Sequence, residues 1–407
     1  MVSVKDGSDG VRRRNLAAVL TRVHHGGPAS RAALTAEIGL NRSTIGSLVA
    51  ELDALGLVEE ADAEVTRRVG RPSPVVRPNP GPAVVAVNPE LDAVTVAIVG
   101  LGARVEHRIR REVDHAITAR EAADMVADIV DHYRETITPG RVLRAAGLAV
   151  PGLVRASDGV VRWAPHLDWR DEPIASLVAE RLGLPTVVDN DASLGALAER
   201  IFGAGRGVEE LVYLNGGASG IGGGVIVHGH LLGGAHGYAG EFGQNRPGLV
   251  DAADRVTEHG TLEDEVSRAR LLAVLGLAGA DEPQLERALL ASTDEGVRAE
   301  IARQQRVLAV ALSNAINVMN PELVVLGGFL ASLLACDPAG FERAVEASTV
   351  PAAFEGVRIQ PAGLGEDRLL IGAAELAWQP ILDDPATAAS PPQEVSAVEL
   401  GVRGMHP

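Results

Sequence analysis

The chain has 407 residues, 46% hydrophobic and 22% charged, enough for two or three domains with sizeable cores. No run approaches ~20 apolar residues, so no membrane span is expected; no signal peptide is evident, and the single cysteine, Cys336, excludes a disulfide framework or a multi-cysteine zinc site, so a cytoplasmic protein is expected. The net charge of −17 is uneven: residues 1–80 carry +2 and the remainder −19, so only the N-terminal segment is expected to meet a polyanion.

Leu16, Val19, Leu20 and Val23 fall on one face of a first helix, which "HHGGP" at 24–28 is expected to break. Ser30 can cap a short second helix carrying Arg31, Leu34 and Ile38, and Gly39 makes a turn. Asn41 can cap a third helix that buries Ile45, Leu48, Val49, Leu52 and Leu55. Its first exposed positions are Arg42, Ser43, Thr44 and Ser47, groups suited to phosphates and base edges. Short helix, glycine turn and polar-fronted helix form a helix-turn-helix pattern, whose last helix enters the DNA major groove. "GLVEE" and "PVVR" then read as two strands of a wing, with Arg67, Arg68 and Arg71 at its tip for phosphates or a minor groove. The competing reading is a three-helix cap with a solvated hairpin. Pro74, Pro78, Pro80 and Pro82 mark a stiff linker and a domain boundary near residue 80.

From residue 83 strands and helices alternate, the mark of a layered α/β body. Strands are expected at 84–87, 94–99, 145–150, 186–189, 211–214, 222–227 and 323–328. Helices are expected at 121–133, 171–182, 191–202, 297–320 and 369–379. Residues 383–407 read as a disordered tail. In such folds ligands sit at the carboxyl ends of strands, where Asp189-Asn190-Asp191 stands. Asp191 also begins a helix, and capping alone would account for it.

The segments "VPGLVRASDGVVRWAPHLDW", "LPTVVDNDASLGALAERIFGAG", "SGIGGGVIVHGHLLGG" and "GYAGEFG" occur in that order. Together they resemble the ROK family (repressor, open reading frame, kinase). The N-terminal "SRAALTAEIGLNRSTIGSLVAELDALGLVEE" with "GRP" is similar to the winged-helix module of the family's repressor branch. The resemblance implies a winged helix-turn-helix over 1–80 and, over 81–382, an actin-like (ribonuclease H-like) two-lobed sugar-kinase fold. It implies sugar contacts by Asn190, Asp191, Glu241 and Glu263, with Gly152 passing the sugar, Gln244 nearby, and His166 where many members have Asn.

Three departures separate the chain from the family's kinases. The phosphate loop Asp-x-Gly-Gly-Thr is replaced here by Asn88, Pro89, Glu90, Leu91 and Asp92, whose carboxylates repel a triphosphate. Poor ATP binding and no enzymatic activity are therefore expected. The glycine-rich 219–229 and "LGG" at 326–328 then read as tight packing rather than phosphate binding. The family's zinc ligands are replaced by Gln244, Asp254, Val256 and Thr261, which cannot make a thiolate site, so no zinc is expected.

The expected function is a sugar-responsive regulator of carbohydrate genes, a repressor acting as a homodimer or homotetramer. Its expected partners are double-stranded operator DNA and a sugar or sugar-phosphate effector. The alternatives are an active sugar kinase carrying a DNA-binding domain, and a DNA-binding protein whose body is a dimerisation scaffold.

Overall fold

The structure, a computed structural model, describes residues 5–61, 74–136, 141–248 and 254–389. The N-terminal module holds helices α1 (Lys5–Gly26), α2 (Arg31–Ile38) and α3 (Arg42–Ala54) and strands β1 (Ala29–Ser30), β2 (Val58–Ala61) and β3 (Val75–Pro78). The strands form one antiparallel sheet in the order β1-β3-β2. Local chemistry sets these boundaries. Ser30 accepts the Ala33 N–H at 3.1 Å and Asn41 the Thr44 N–H at 2.8 Å, each capping a helix. Gly39 between them takes φ 76°, a left-handed conformation that favours glycine. The apolar stripe Leu16, Val19, Leu20 and Val23 is buried. His24 and His25, expected to end α1, instead lie inside its last turn. Arg67, Arg68 and Arg71 fall outside the described residues.

The body is two lobes with the same strand topology. In the first, β4 (Pro82–Pro89), β5 (Ala93–Gly100) and β6 (Arg104–Glu112) make a meander. Helix α4 (Ala119–Thr136) leads to β7 (Val142–Val150), a small sheet of β8 (Leu153–Arg155), β9 (Val160–Ala164) and β10 (Trp169–Glu172), helix α5 (Ile174–Leu182) and β11 (Thr186–Asn190). The main sheet runs β11-β7-β4-β5-β6. Residues 171 and 172, expected in a helix, belong to β10; Pro173 sets the start of α5. Helix α6 (Asp191–Phe202) then crosses to the second lobe.

There β12 (Leu211–Gly217), β13 (Gly220–Val227) and β14 (His230–Leu231) repeat the meander. Helices α7 (Leu262–Glu265), α8 (Arg268–Leu275), α9 (Glu282–Ala291) and α10 (Glu295–Met319) lead to β15 (Leu323–Gly328). Helices α11 (Phe329–Cys336), α12 (Pro338–Ser348) and α13 (Pro351–Phe354) lead to β16 (Arg358–Pro361). The sheet order, β14-β13-β12-β15-β16, matches that of the first lobe strand for strand. The last helix, α14 (Arg368–Asp383), returns to the first lobe.

The two crossing helices exchange lobes. Helix α6 follows a first-lobe strand and packs on β12 and β13; α14 follows a second-lobe strand and packs on β4 and β7. They also pack on each other, so closely that a Cβ on Gly372 would collide with the Leu194 carbonyl. Residues 385–389, expected in a disordered tail, form a short turn whose Ala388 carbonyl accepts from Arg144 at 2.8 Å. Residues 390–407 lie outside the described residues. No linker of any length separates module from body: only residues 79–81 lie between β3 and β4. The interior of the module joins one face of the first lobe in a single cluster that includes Leu16, Val19, Val84, Val99 and Trp378.

Candidate functional site

Asp189 and Asn190 pair with Ala149 and Val150 of β7, so the chain leaves the sheet beside Gly152. Asn190 then serves both the helix and the strand end. Its side-chain oxygen caps α6 by accepting the Ser193 N–H at 3.0 Å, and its amide donates to the Gly152 carbonyl at 3.0 Å. One N–H and one lone pair stay available to a ligand. Asp191 opens α6 and accepts the Ala192 N–H at 2.8 Å. Burial pushes its carboxyl up to about 6, against the pull of that N–H and of Arg368. Burial likewise lifts Asp189 to about 6. Raised carboxyls grouped at a strand end are a candidate binding site.

Across the cleft, Gln244 ends a turn at Phe242–Gln244 and donates to Glu263 on α7 at 2.6 Å. Glu263 also accepts the Ile221 N–H of β13 at 3.3 Å. Glu241 stands beside them, its carboxyl raised by burial, then by the negative charges of Asp191 and Glu263. Five of the expected sugar residues, together with Gly152, thus share one cleft. His166 is exposed on the turn Pro165–Leu167, and the hydrogen bonds that tie the others together do not reach it.

The loop that carries zinc ligands in the resembled family is held here by protein groups. Fully enclosed Glu265 accepts the Val256 N–H (2.9 Å), the Thr257 N–H (3.0 Å) and the Thr257 hydroxyl (2.6 Å). Arg303 of α10 donates to Glu265 at 3.2 Å and to the Asp254 carbonyl at 2.8 Å. Asp254 pairs with Arg306 at 2.6 Å, and Thr261 caps α7. An amide, a paired carboxylate, a valine and a capping hydroxyl do not fit a zinc ion.

On the module, α3 presents Arg42, Ser43 and Ser47 to solvent. Among the described residues Arg42 makes no ion pair, whereas Arg31 is bound to Glu60 of the hairpin. Ser30 and Asn41 are engaged as caps, and Ser43 donates to Asn41 at 2.7 Å. Arg12 of α1, which sequence reasoning missed, reaches Ser47 at 3.4 Å and pairs with Glu51.

A model of the ROK family matches residues 86–379 of the chain. The chain belongs to the ROK family. The xylose repressor of Bacillus spizizenii is 25% identical over 382 residues, 92% of this chain and 97% of that one. The glucokinase of Thermotoga maritima is 33% identical over 221 residues, 49% of this chain and 69% of that one. The crystal structure of a ROK family transcriptional regulator, a homolog of the E. coli MLC protein, superposes with a TM-score of 0.72 at 22% identity, over 92% of this chain and 97% of that one. The body therefore has the two-lobed sugar-kinase fold of ROK proteins.

Further polar groups gather at the β4–β5 turn and the start of α14. Asn88 is buried with its Oδ1 unpartnered, and Glu90 sits at the tip of the β4–β5 turn. Burial, then Asp92, raises the Glu90 carboxyl to about 7, against the opposing charge of Arg110. Arg368, buried at the start of α14, donates to Asn215 at 2.9 Å and is paired with Glu282 of α9 at 2.7 Å. Neither Arg368 nor Glu282 belongs to a motif, and pattern reading passed over both. The glycines serve packing: a Cβ on Gly222 would meet Ala192 at 2.7 Å, one on Gly224 Ala196 at 2.6 Å, and one on Gly327 the Tyr213 hydroxyl at 2.7 Å. Among the described residues no helix is long and apolar enough to cross a membrane.

Proposed function

We propose that this ROK protein is a sugar-responsive transcriptional repressor. One observation carries the reading. A two-helix unit with a glycine turn and an exposed polar face, on which Arg42 makes no ion pair among the described residues, precedes a sugar-kinase body whose nucleotide side is lined by carboxylates. The first part suits an operator; the second retains sugar contacts while disfavouring ATP. An alignment covering 92% of the chain takes in the module as well as the body, and that relative is named a xylose repressor.

In this reading residues 1–80 are a winged helix-turn-helix. Helix α3 enters the major groove, with Arg42, Ser43, Thr44 and Ser47 leading and Arg12 behind; Arg67, Arg68 and Arg71 serve the wing. Asn190, Asp191, Glu241 and Glu263 bind sugar hydroxyls, with Gln244 holding Glu263 and Gly152 holding Asn190. The effector is an unphosphorylated sugar. Five carboxylates, Glu90, Asp189, Asp191, Glu241 and Glu263, border the cleft, and its buried cation Arg368 is already bound to Glu282. These residues offer a phosphate dianion no unpaired cation. A homodimer would place two modules on half-sites about one helical turn apart, so that a shift between them releases DNA.

The deciding experiment titrates the protein onto the DNA upstream of its own coding sequence, at fixed salt, with D-xylose, D-glucose and D-glucose 6-phosphate. Binding that weakens with one of the free sugars and not with the phosphate is expected. A second reading, an active sugar kinase, is favoured by Asp191, a carboxyl held near 6 and able to accept a hydroxyl proton. It requires ATP consumption with one of these sugars, which is not expected.

A further inference from the structure

Helices α6 and α14 have a common geometry beyond the cleft. Each begins there: α6 with Asp191 after its cap Asn190, α14 with Arg368. Each then runs to the same place. Glu375 lies two turns beyond Arg368 on the same face of α14, ~10 Å along the axis. It accepts from Nε2 of His24 at 2.8 Å and from Nε2 of His25 at 2.7 Å. Phe202, the last residue of α6, meets both imidazoles edge-on, with centroids 5.5 and 5.6 Å away. Trp378, one turn on from Glu375, approaches His24 at 6.4 Å. Both histidines belong to α1 of the DNA-facing module.

The join is a hydrogen-bonded clasp rather than a metal site. Among the described residues His24, His25 and Glu375 form a group close enough to hold an ion. Nδ1 of His24, however, accepts the Gly102 N–H at 2.8 Å. The ring must therefore carry its proton on Nε2, which leaves that nitrogen no lone pair for a metal. His24 and Glu375 are buried, so the bonds between module and body here are made out of water, where breaking one is costly.

We propose that the His24–His25 pair is where the sugar cleft acts on the DNA-binding module. The two helices that carry cleft residues at their N-termini converge on it from different lobes, so a change of lobe angle alters how they grip α1. The inference rests on the repressor reading, and it assigns the coupling to named residues outside both binding sites. Coupling of this kind is reciprocal: sugar changes DNA affinity and DNA changes sugar affinity by the same factor.

The test uses the full chain, a duplex from upstream of its own coding sequence, and D-xylose and D-glucose as probes. DNA affinity is read by fluorescence anisotropy and sugar affinity by calorimetry, each with and without the other ligand. In the wild type a coupling factor of ~5 to 150 is expected. Glu375→Gln and His25→Gln should keep both separate affinities while the factor falls below about two, close to no coupling. Phe202→Leu, which leaves the polar clasp intact, should reduce it as well and carries the test if the polar variants unfold. Variants that respond to sugar by the full wild-type factor would overturn the proposal and leave the repressor reading standing. A wild type that binds no DNA, or ignores both sugars, overturns the repressor reading and this inference with it.

Discussion

Asp191 holds a charge in a buried place at a cost in stability. It starts α6 and accepts a helix N–H, yet burial holds its carboxyl near 6. Asp191→Asn keeps the shape and loses the negative acceptor. The variant should fold normally and lose the thermal shift given by the effector sugar, since a ligand stabilises only the state that binds it. Glu90 offers a cleaner pH signature. Its folded value of about 7 stands above the ordinary 4.5, so the folded state binds the extra proton between those values. Stability contributed by this group is present below pH ~4.5 and is lost as pH rises through 7. Glu90→Gln should therefore raise the denaturation midpoint at pH 8, and the gain should fade as pH falls towards 5; a gain independent of pH would contradict the buried carboxyl. The residues of the cleft were legible because each stands in a local motif. Arg368 and Glu282 were not, since they meet only where the first turn of α14 leaves the second lobe, 86 residues apart along the chain.

Among elements, the pair α6 and α14 depends on a missing side chain. Gly372 brings α14 against the Leu194 carbonyl. A methyl group there must push the helices apart, and Gly372→Ala should cost about 1–3 kcal/mol, an overpacking penalty measurable by urea unfolding. Glu265 holds the loop from Asp254 to Thr261 and is answered by Arg303. Glu265→Gln leaves a buried guanidinium short of its partner; a loss of about 3 kcal/mol is expected, together with weaker sugar binding as Glu263 and Gln244 shift. Helices α2, α3 and α6 could be read from the sequence because caps and apolar spacing are local signals. The end of α1 could not. "HHGG" reads as a breaker by its neighbours, but Glu375, 351 residues from His24, gives both imidazoles a reason to remain helical. The tail beyond α14 failed in the same way: its composition is that of a loop, and Arg144 anchors part of it.

For the whole molecule, the uneven charge matters first. The acidic body repels DNA while the module carries +2 over residues 1–80, so binding should rest on few phosphate contacts and fall only gently with salt. Arg42→Ala should weaken binding to all duplexes and make the logarithmic salt slope shallower by about one unit. An unchanged slope would remove Arg42 from the phosphate contacts. The duplicated lobes were partly legible, as alternating strands and helices; that the two sheets share one order could not be read, because nothing in the sequence marks which strands are neighbours. The shared interior of module and first lobe bears on how such proteins can be recombined. Leu16 and Val19 lie in one core with Val84, Val99 and Trp378. A chimera exchanging residues 1–78 alone would set an unfamiliar stripe against an old surface. One that carries α14 along with the module keeps the Trp378 part of the seam matched, so the piece best transplanted is assembled from both ends of the chain.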